Sequence, residues 1–244
     1  MPAHRTLALV LRTVEVFETS VVATLFTREL GKVSALAKGA RRPRSAFQGG
    51  LDLLGVSDIV VFPKASEALD LLAEAAPIER FASLRRDLAA LYAGFYIAEL
   101  LNDLTDLHDP HPRLFDAARI TLRHLGESDL RSRRILRFEL ACLRELGLMP
   151  ALDACAHCGA AVVVQGDTVW FGLATGGVLC ETCRAGHAAV AALSGKDLEA
   201  IRALASPGRA WRELDASSAG LAPARDTVGA VLSHVLGHRP RLRP

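Results

Sequence analysis

The strongest chemical pattern in this chain of 244 residues is a set of four cysteines in two C-x2-C pairs. Residues 159–179 separate the pairs, whose members are Cys155, Cys158, Cys180 and Cys183. Each C-x2-C turn directs two thiolates at one point, and two such turns fill the four positions around a tetrahedral zinc ion. Gly159 and the Gly176-Gly177 pair stand where a tight turn needs positive φ. The pattern predicts one structural Zn²⁺ per chain, with no position left for water or a substrate.

The alternative for these cysteines is a pair of disulfides or a set of unrelated free thiols. Residues 1–13 lack the long apolar segment and the cleavage site of a secretory signal, so we expect a reducing, cytoplasmic location. No apolar run approaches the roughly 18 to 20 residues of a membrane span. The formal net charge of +2 is too small to favour any partner. A reducing location favours the metal over the disulfides.

Basic residues are nevertheless clustered along the chain. Residues 32–48 contain five cations and no acidic residue, with Gly39 and Pro43 inside the run and Gly31, Gly49 and Gly50 at its ends. The cations of this basic run are Lys32, Lys38, Arg41, Arg42 and Arg44. Loops present ligands, so we expect the basic run to neutralise phosphates. A second cluster, which fits a solvated helix face equally well, comprises Arg131, Arg133, Arg134 and Arg137, and a third comprises the tail residues Arg239, Arg241 and Arg243.

The elements that must position these residues change in type near Pro77. Alternating apolar residues predict five short strands, near residues 7–11, 21–25, 33–37, 57–62 and 69–74, and hence a small barrel. The apolar period then becomes helical, with a first stripe at Leu84, Leu88, Leu91, Phe95 and Ala98. Further helices are predicted near residues 114–125, 132–146, 196–204 and 224–236. The expected domains are residues 1–79 and 80–244, with the zinc segment inserted at about residues 152–188.

Several motifs occur in the order and spacing of a known family. Thr27-Arg28-Glu29-Leu30-Gly31-Lys32 leads into Ala37-Lys38-Gly39-Ala40-Arg41-Arg42 and then Ser45-Ala46-Phe47. Pro112-Arg113-Leu114-Phe115, Phe138-Glu139-Leu140 and Gly177-Val178-Leu179-Cys180 follow. Together they resemble the RecO recombination mediators of bacterial DNA repair, through about Gly186. Val16-Phe17-Glu18 departs from the family, whose members commonly carry an aromatic-Gly-Glu turn there.

The resemblance implies an α+β multidomain protein: a five-stranded oligonucleotide-binding (OB) barrel, then an α-helical domain that carries the four-cysteine zinc site. It also implies a protein that binds single- and double-stranded DNA, anneals complementary strands, joins RecR, contacts the C-terminal tail of SSB and helps to load RecA, without bond chemistry. By motif position, Lys38, Arg41, Arg42 and Arg44 should meet phosphates, with Arg28 and Lys32 nearby. Phe47, beside the basic run, is the candidate for base stacking among the few aromatics of the barrel, which also include Phe17, Phe26 and Phe62.

A contact with an acidic, apolar SSB tail would need an apolar groove bordered by arginine. The candidates are the edge formed by Leu100, Leu101, Leu104 and Leu107 and the cluster from Arg131 to Arg137. The alternative is an ordinary helical core with a solvated face.

Two other functions stay open. A zinc-ribbon transcription factor would carry cations on the ribbon, whereas residues 155–183 contain no Lys or Arg. A zinc-dependent hydrolase would keep one metal position open and needs a motif such as H-E-x-x-H, which the chain lacks. His108, Asp109 and His111 are interspersed with Pro110 and Pro112, which predicts a turn rather than a metal site, and Cys142 is expected in a helical core.

Overall fold

A computed structural model of the chain describes residues 2–64, 68–162, 167–214, 218–242 and 244. The chain folds as two compact units, Met1–Gly126 with Leu242–Pro244, and Glu127–Arg241. The domain boundary expected at residue 79 stays a prediction. In the structure, the helices that follow the barrel as far as Gly126 belong to the same compact unit as the barrel.

The first unit is built on a closed barrel of five strands, as the alternating apolar pattern predicts. The strands are β1 (His4–Val16), β2 (Ser20–Thr27), β3 (Gly31–Ala37), β4 (Val56–Phe62) and β5 (Asp70–Glu79). Their order around the barrel is β1-β2-β3-β5-β4, with β4 returning to β1. All neighbours are antiparallel except β3 and β5, which run parallel. This arrangement is the five-stranded Greek-key barrel of an OB-fold.

The first long helix differs from the predicted stripe. A short 3-10 helix at Ala82–Arg85 follows β5, and α1 (Leu88–Leu104) begins after Asp87, whose carboxylate accepts a hydrogen bond from the backbone N–H of Ala90 at 3.1 Å. This N-cap fixes the start of the helix, and the buried face begins at Ala90, after two exposed residues. The buried residues are Ala90, Ala93, Gly94, Tyr96, Ile97, Ala98, Leu100 and Leu101. Leu88 is 82% exposed, so the predicted stripe was wrong there.

Helix α2 (Pro112–His124) completes the ordered helices of the first unit, close to its predicted bounds. The turn before it contains His108, whose φ is 60°, and His111, whose Nε2 lies 3.0 Å from a carboxylate oxygen of Asp109. The predicted turn is confirmed.

The second unit combines helices with a small sheet that the sequence did not reveal. Its helices are α3 (Arg131–Glu145), α4 (Glu181–Arg184), α5 (Gly195–Ala205) and α6 (Ser218–Leu236). Strands β6 (Thr168–Gly172), β7 (Gly177–Leu179) and β8 (Val190–Ser194) form an antiparallel sheet in the order β7-β6-β8. Strands of three to five residues are too short to produce a recognisable alternation. Among the described residues, no helix is long and apolar enough to cross a membrane.

Candidate nucleic-acid interface and metal centre

The basic run enters a loop between β3 and β4 that is folded as successive tight turns. We call residues 38–50 the basic loop. The backbone N–H groups of Arg42, Ser45 and Gln48 each donate to the carbonyl three residues earlier, at 3.0, 3.2 and 3.3 Å. The N–H of Ala75 in β5 donates to the carbonyl of Ala46 at 3.1 Å, which fixes the loop to the barrel. The loop therefore presents its side chains from a defined backbone.

Phe47 anchors the basic loop from inside. Its side chain is 6% exposed and belongs to the apolar core of the barrel, together with Ala8, Val10, Ala23, Leu25, Val33, Ala35, Ala37, Ile59, Val61, Leu72 and Ala75. The structure contradicts the interpretation of Phe47 as a base-stacking residue, because a ring packed among these side chains offers no free face. Many members of this core are alanines, which leave room for one ring to enter from the loop.

Three cations of the basic loop point into solvent. Lys38, Arg42 and Arg44 are exposed, and within the part of the chain that the structure describes their side chains have no hydrogen bond or ion pair. Arg41 is also exposed but is partly engaged, since its guanidinium lies 3.0 Å from a carboxylate oxygen of Glu15. Unpaired cations on a fixed loop can neutralise successive phosphates of a strand.

Arg28 and Lys32 are held by contacts inside the first unit. Arg28 binds both carboxylate oxygens of Asp116, at 3.0 and 2.9 Å, and this pairing lowers the pKa of the Asp116 carboxyl. The ammonium of Lys32 donates to the backbone carbonyl of Asn102, and burial lowers the pKa of Lys32. Their proximity to DNA stays a prediction, and each has a structural role already.

The arginine cluster of α3 is not a solvated face. Arg133 and Arg134 are each 6% exposed; Arg133 donates to the backbone carbonyl of Arg212, and Arg134 pairs with Glu127. Arg137 donates to the carbonyls of Leu204 and Ser206, at the C-terminal end of α5, at 2.8 and 2.7 Å, and burial lowers its pKa. Carbonyls at a helix end lack intrahelical partners, and these arginines satisfy some of them. The structure thus contradicts the use of Arg133 and Arg134 as a second DNA site or partner site, while Arg131 is half-buried.

The leucine edge that was a candidate for a partner contact also contains both buried and exposed residues. Leu100 and Leu101 are fully buried in the core of the first unit, whereas Leu107 is 55% exposed. The alternative of an ordinary helical core is therefore correct for the first two. Of the tail cations, Arg243 lies outside the described residues.

The four cysteines converge in the second unit, as the spacing predicts. Their sulfur atoms all lie within 4.8 Å of one another, and the Sγ atoms of Cys158 and Cys180 are 3.9 Å apart. A tetrahedral site with Zn–S bonds of ~2.3 Å requires sulfurs about 3.8 Å apart. None of the four is in a disulfide. The donor set therefore fits a tetrahedral metal ion, and it is the one such group of His, Cys, Asp or Glu side chains among the described residues.

Backbone hydrogen bonds hold the two cysteine turns together. After the first pair, the N–H of Gly159, whose φ is 74°, donates to the carbonyl of Cys155 at 2.8 Å. The second pair follows β7 directly, and Cys180 precedes α4. At Gly177 a Cβ would lie 2.6 Å from the carbonyl oxygen of Ala151, so only glycine allows this approach of the two segments. The turns are positioned by their own backbone, and their four thiols form the donor set for a metal ion.

The pKa values of two of the four clustered thiols are shifted in opposite directions. Burial acts to raise the pKa of Cys155, but hydrogen bonds from neighbouring backbone N–H groups outweigh burial, and the pKa is lowered. The pKa of Cys183 is raised, first by its hydrogen bond with the Cys180 thiol. Clustered thiolates repel, and a divalent cation among them removes that repulsion. By contrast, Cys142 is fully buried in α3, and burial raises the pKa of its thiol, as expected for a core residue.

One exposed aromatic residue escaped the functional interpretation of the sequence. Phe17, at the tip of the β1–β2 hairpin, is 87% exposed. The sequence signal was that Val16-Phe17-Glu18 stands where the family commonly carries an aromatic-Gly-Glu turn. Hydrophobic periodicity, however, does not predict whether the side chain of a turn residue is buried or exposed.

The barrel and the cysteine cluster define the class: an OB-fold protein with a helical part and a four-cysteine cluster whose geometry fits a metal ion. Comparison with known proteins agrees with this class. Two family models, described as "Recombination protein O N terminal" and "Recombination protein O C terminal", match residues 1–81 and 85–244. The chain belongs to the RecO family.

Individual relatives carry the same family name. The chain is 44% identical over 203 residues to the DNA repair protein RecO of Rhodopirellula baltica, covering 82% of this chain and 74% of the relative. It is 38% identical over 235 residues to the protein of that name from Anaeromyxobacter sp. strain K, covering 94% and 90%. The corresponding values for Myxococcus xanthus are 33% over 239 residues, 95% and 92%.

Proposed function

We propose that this protein is a DNA repair and recombination mediator that binds single- and double-stranded DNA and anneals complementary strands without bond chemistry. The observation that carries the proposal is the basic loop, which aims Lys38, Arg42 and Arg44 into solvent from the side of an OB barrel. Such barrels hold a strand through cationic contacts to its backbone, which are indifferent to base sequence. Neutralising two strands at once lowers the repulsion that opposes their pairing.

The proposed partners follow from membership of the family. They are RecR, the acidic and apolar C-terminal tail of SSB, and indirectly RecA, which the protein helps to load on SSB-coated strands. Because the substrate is chromosomal DNA, the protein acts in the bacterial cytoplasm, at the nucleoid during repair. The buried arginines of α3 are not offered as the SSB site.

For the cysteine cluster we propose one structural Zn²⁺ per chain. Four thiolates close a tetrahedral shell, so the ion has no position for a water or a substrate. This argues against a zinc-dependent hydrolase. A zinc-ribbon transcription factor would need cations on the cysteine segment, and residues 155–183 carry none. The ion is expected to link the two cysteine turns and so to maintain the fold of the second unit.

Annealing tests the proposed function. Complementary single strands mixed with the protein should form duplex faster than the strands alone, with no nucleotide added, and both strands should be recovered chemically unchanged. Annealing that requires ATP, or strand cleavage that disappears when one residue of this chain is replaced, would contradict a non-enzymatic mediator.

The salt dependence of binding tests the basic loop. In Arg42→Gln/Arg44→Gln two unpaired charges are lost, so the slope of log K against log salt for a single strand should flatten by about 1.4, and affinity at 0.1 M salt should fall about 20-fold. The loss should be similar for unrelated base sequences. Arg86→Gln/Arg113→Gln removes two exposed arginines of the same unit outside the loop, and should leave the slope unchanged. Equal slopes for the loop variant and the wild type would show that the loop does not contact DNA.

A further inference from the structure

Phe17 is the most exposed of the large apolar side chains in the described residues, at 87%. It lies in the turn between β1 and β2, where water reaches most of its ring. Exposing a phenyl ring to water is unfavourable, so the folded state of the barrel gains nothing from a ring here. Isolated exposed apolar residues are common, and the case for function therefore needs further observations.

The backbone at Phe17 supplies the second observation. Its φ is 54°, in the left-handed region that favours glycine and disfavours residues with a Cβ. The position combines an exposed aromatic ring with a backbone conformation that glycine would adopt at lower cost. Residues held in such conformations cluster at functional sites, and unlike Leu54 and Phe81, which also have positive φ, Phe17 is not part of the core.

The position of the β1–β2 turn, next to the basic loop, supplies the third observation. The backbone N–H of Arg41 donates to the carbonyl of Thr19 at 3.0 Å, and the Arg41 guanidinium contacts the carbonyl of Glu18 and the carboxylate of Glu15. Arg41 therefore fastens the hairpin tip to the basic loop. Glu15 and Glu18 are the acidic residues within two positions of Phe17 in the sequence, and they are outnumbered by the loop cations Lys38, Arg41, Arg42 and Arg44.

We propose that Phe17 stacks on an unpaired nucleobase of a strand whose phosphates the basic loop holds. The inference rests on the DNA binding proposed above and assigns the aromatic contact of that site. In OB-folds the loop between the first two strands is one of those that contact oligonucleotides. A base has an apolar face and a phosphate on the same nucleotide, so a ring and cations fixed side by side match its chemistry. Bases inside a duplex are already stacked on their neighbours, so the ring serves single strands.

Phe17→Gly removes the ring and relieves the backbone, which separates binding from stability. Its affinity for a single-stranded oligonucleotide should fall about fivefold to a hundredfold, the range for one lost stacking contact. Its melting temperature should be at least that of the wild type, since glycine suits the positive φ. The slope of log K against log salt should be unchanged, because no charge is lost. Phe17→Tyr keeps a ring and should bind single strands within about twofold of the wild type.

Two further ligands make the test specific. An oligonucleotide of the same length with abasic sites keeps the phosphates, and a duplex hides the base faces; Phe17→Gly and the wild type should bind each of them equally. If the wild type binds no DNA, the proposed function itself fails. If the wild type binds single strands and Phe17→Gly binds them equally tightly, DNA binding stands and stacking is wrong. If Phe17→Gly weakened binding to the abasic strand or the duplex as much as binding to the single strand, the stacking role would also be overturned.

Discussion

Replacing Cys158 by serine is expected to remove the metal and to unfold the segment around residues 151–194 while the barrel stays folded. A structural Zn²⁺ contributes on the order of 10 kcal/mol to the fold of a small module, and a neutral hydroxyl cannot replace a thiolate ligand. The strands β6, β7 and β8 are short, and the first cysteine turn belongs to no strand or helix, so we expect the ion to contribute much of the stability of this segment. The barrel has its own apolar core and should not depend on the ion.

Trp170 offers a local measurement of this loss. Its indole N–H donates to Glu181 at 2.8 Å, and the guanidinium of Arg184 lies 4.0 Å from the ring centroid. Both partners are in α4, which starts directly after Cys180, so release of the metal should change the fluorescence of Trp170. The wild type should contain about one zinc per chain by metal analysis, Cys158→Ser less, and hydrogen exchange should speed up in β6–β8 but not in β1–β5.

Cys142→Ala is the matched control, because it removes a buried thiol of the same unit that faces no other cysteine. It should keep the full zinc content. A wild-type protein without metal, or a disulfide among the four cysteines under reducing conditions, would refute the zinc site.

Replacing Phe47 by alanine should lower the free energy of unfolding of the first unit by about 3 to 4 kcal/mol, the usual cost of deleting a phenyl ring from a packed core. The ring is 6% exposed, and its loop backbone is fastened to β5 next to it. DNA affinity should fall as well, since a loosened loop no longer presents Arg42 and Arg44 from a fixed backbone. Chemical denaturation followed by far-ultraviolet circular dichroism, with hydrogen exchange in β1–β5, measures the effect.

Phe47→Leu separates the core role from a stacking role. Leucine keeps much of the buried apolar volume, so this variant should retain most of the stability and nearly wild-type DNA affinity. A stacking residue would behave in the opposite way, with unchanged stability and weaker binding to single strands in both variants. That second result would restore the interpretation that the structure contradicts.

Local sequence alone determined the features that depend on short-range spacing. The two C-x2-C pairs specified their own turns, since each places two sulfurs within one short backbone segment. The strands of the barrel were readable because inward and outward residues alternate, as in Val21, Ala23 and Leu25. Helix α3 ends within one residue of the predicted position 146, where Gly147 adopts a φ of 72°, because ending a helix requires only a local backbone conformation.

The tertiary structure decided which of the residues expected at the surface are in fact exposed to solvent. Phe17 and Phe47 both lie in polar turns, yet Phe17 faces solvent and Phe47 packs inside the barrel. The loop of Phe47 is fixed by a hydrogen bond that the backbone N–H of Ala75, far along the chain, donates to the carbonyl of Ala46. Arg133 reads as a surface cation, but its partner carbonyl belongs to Arg212, 79 residues later. A sequence pattern records spacing along the chain, whereas burial of a ring or a guanidinium depends on which distant backbone reaches it. The sequence therefore determined the four cysteines of the candidate metal centre and the existence of the basic run, and the fold alone decided which of the cations and aromatic rings are available to a ligand.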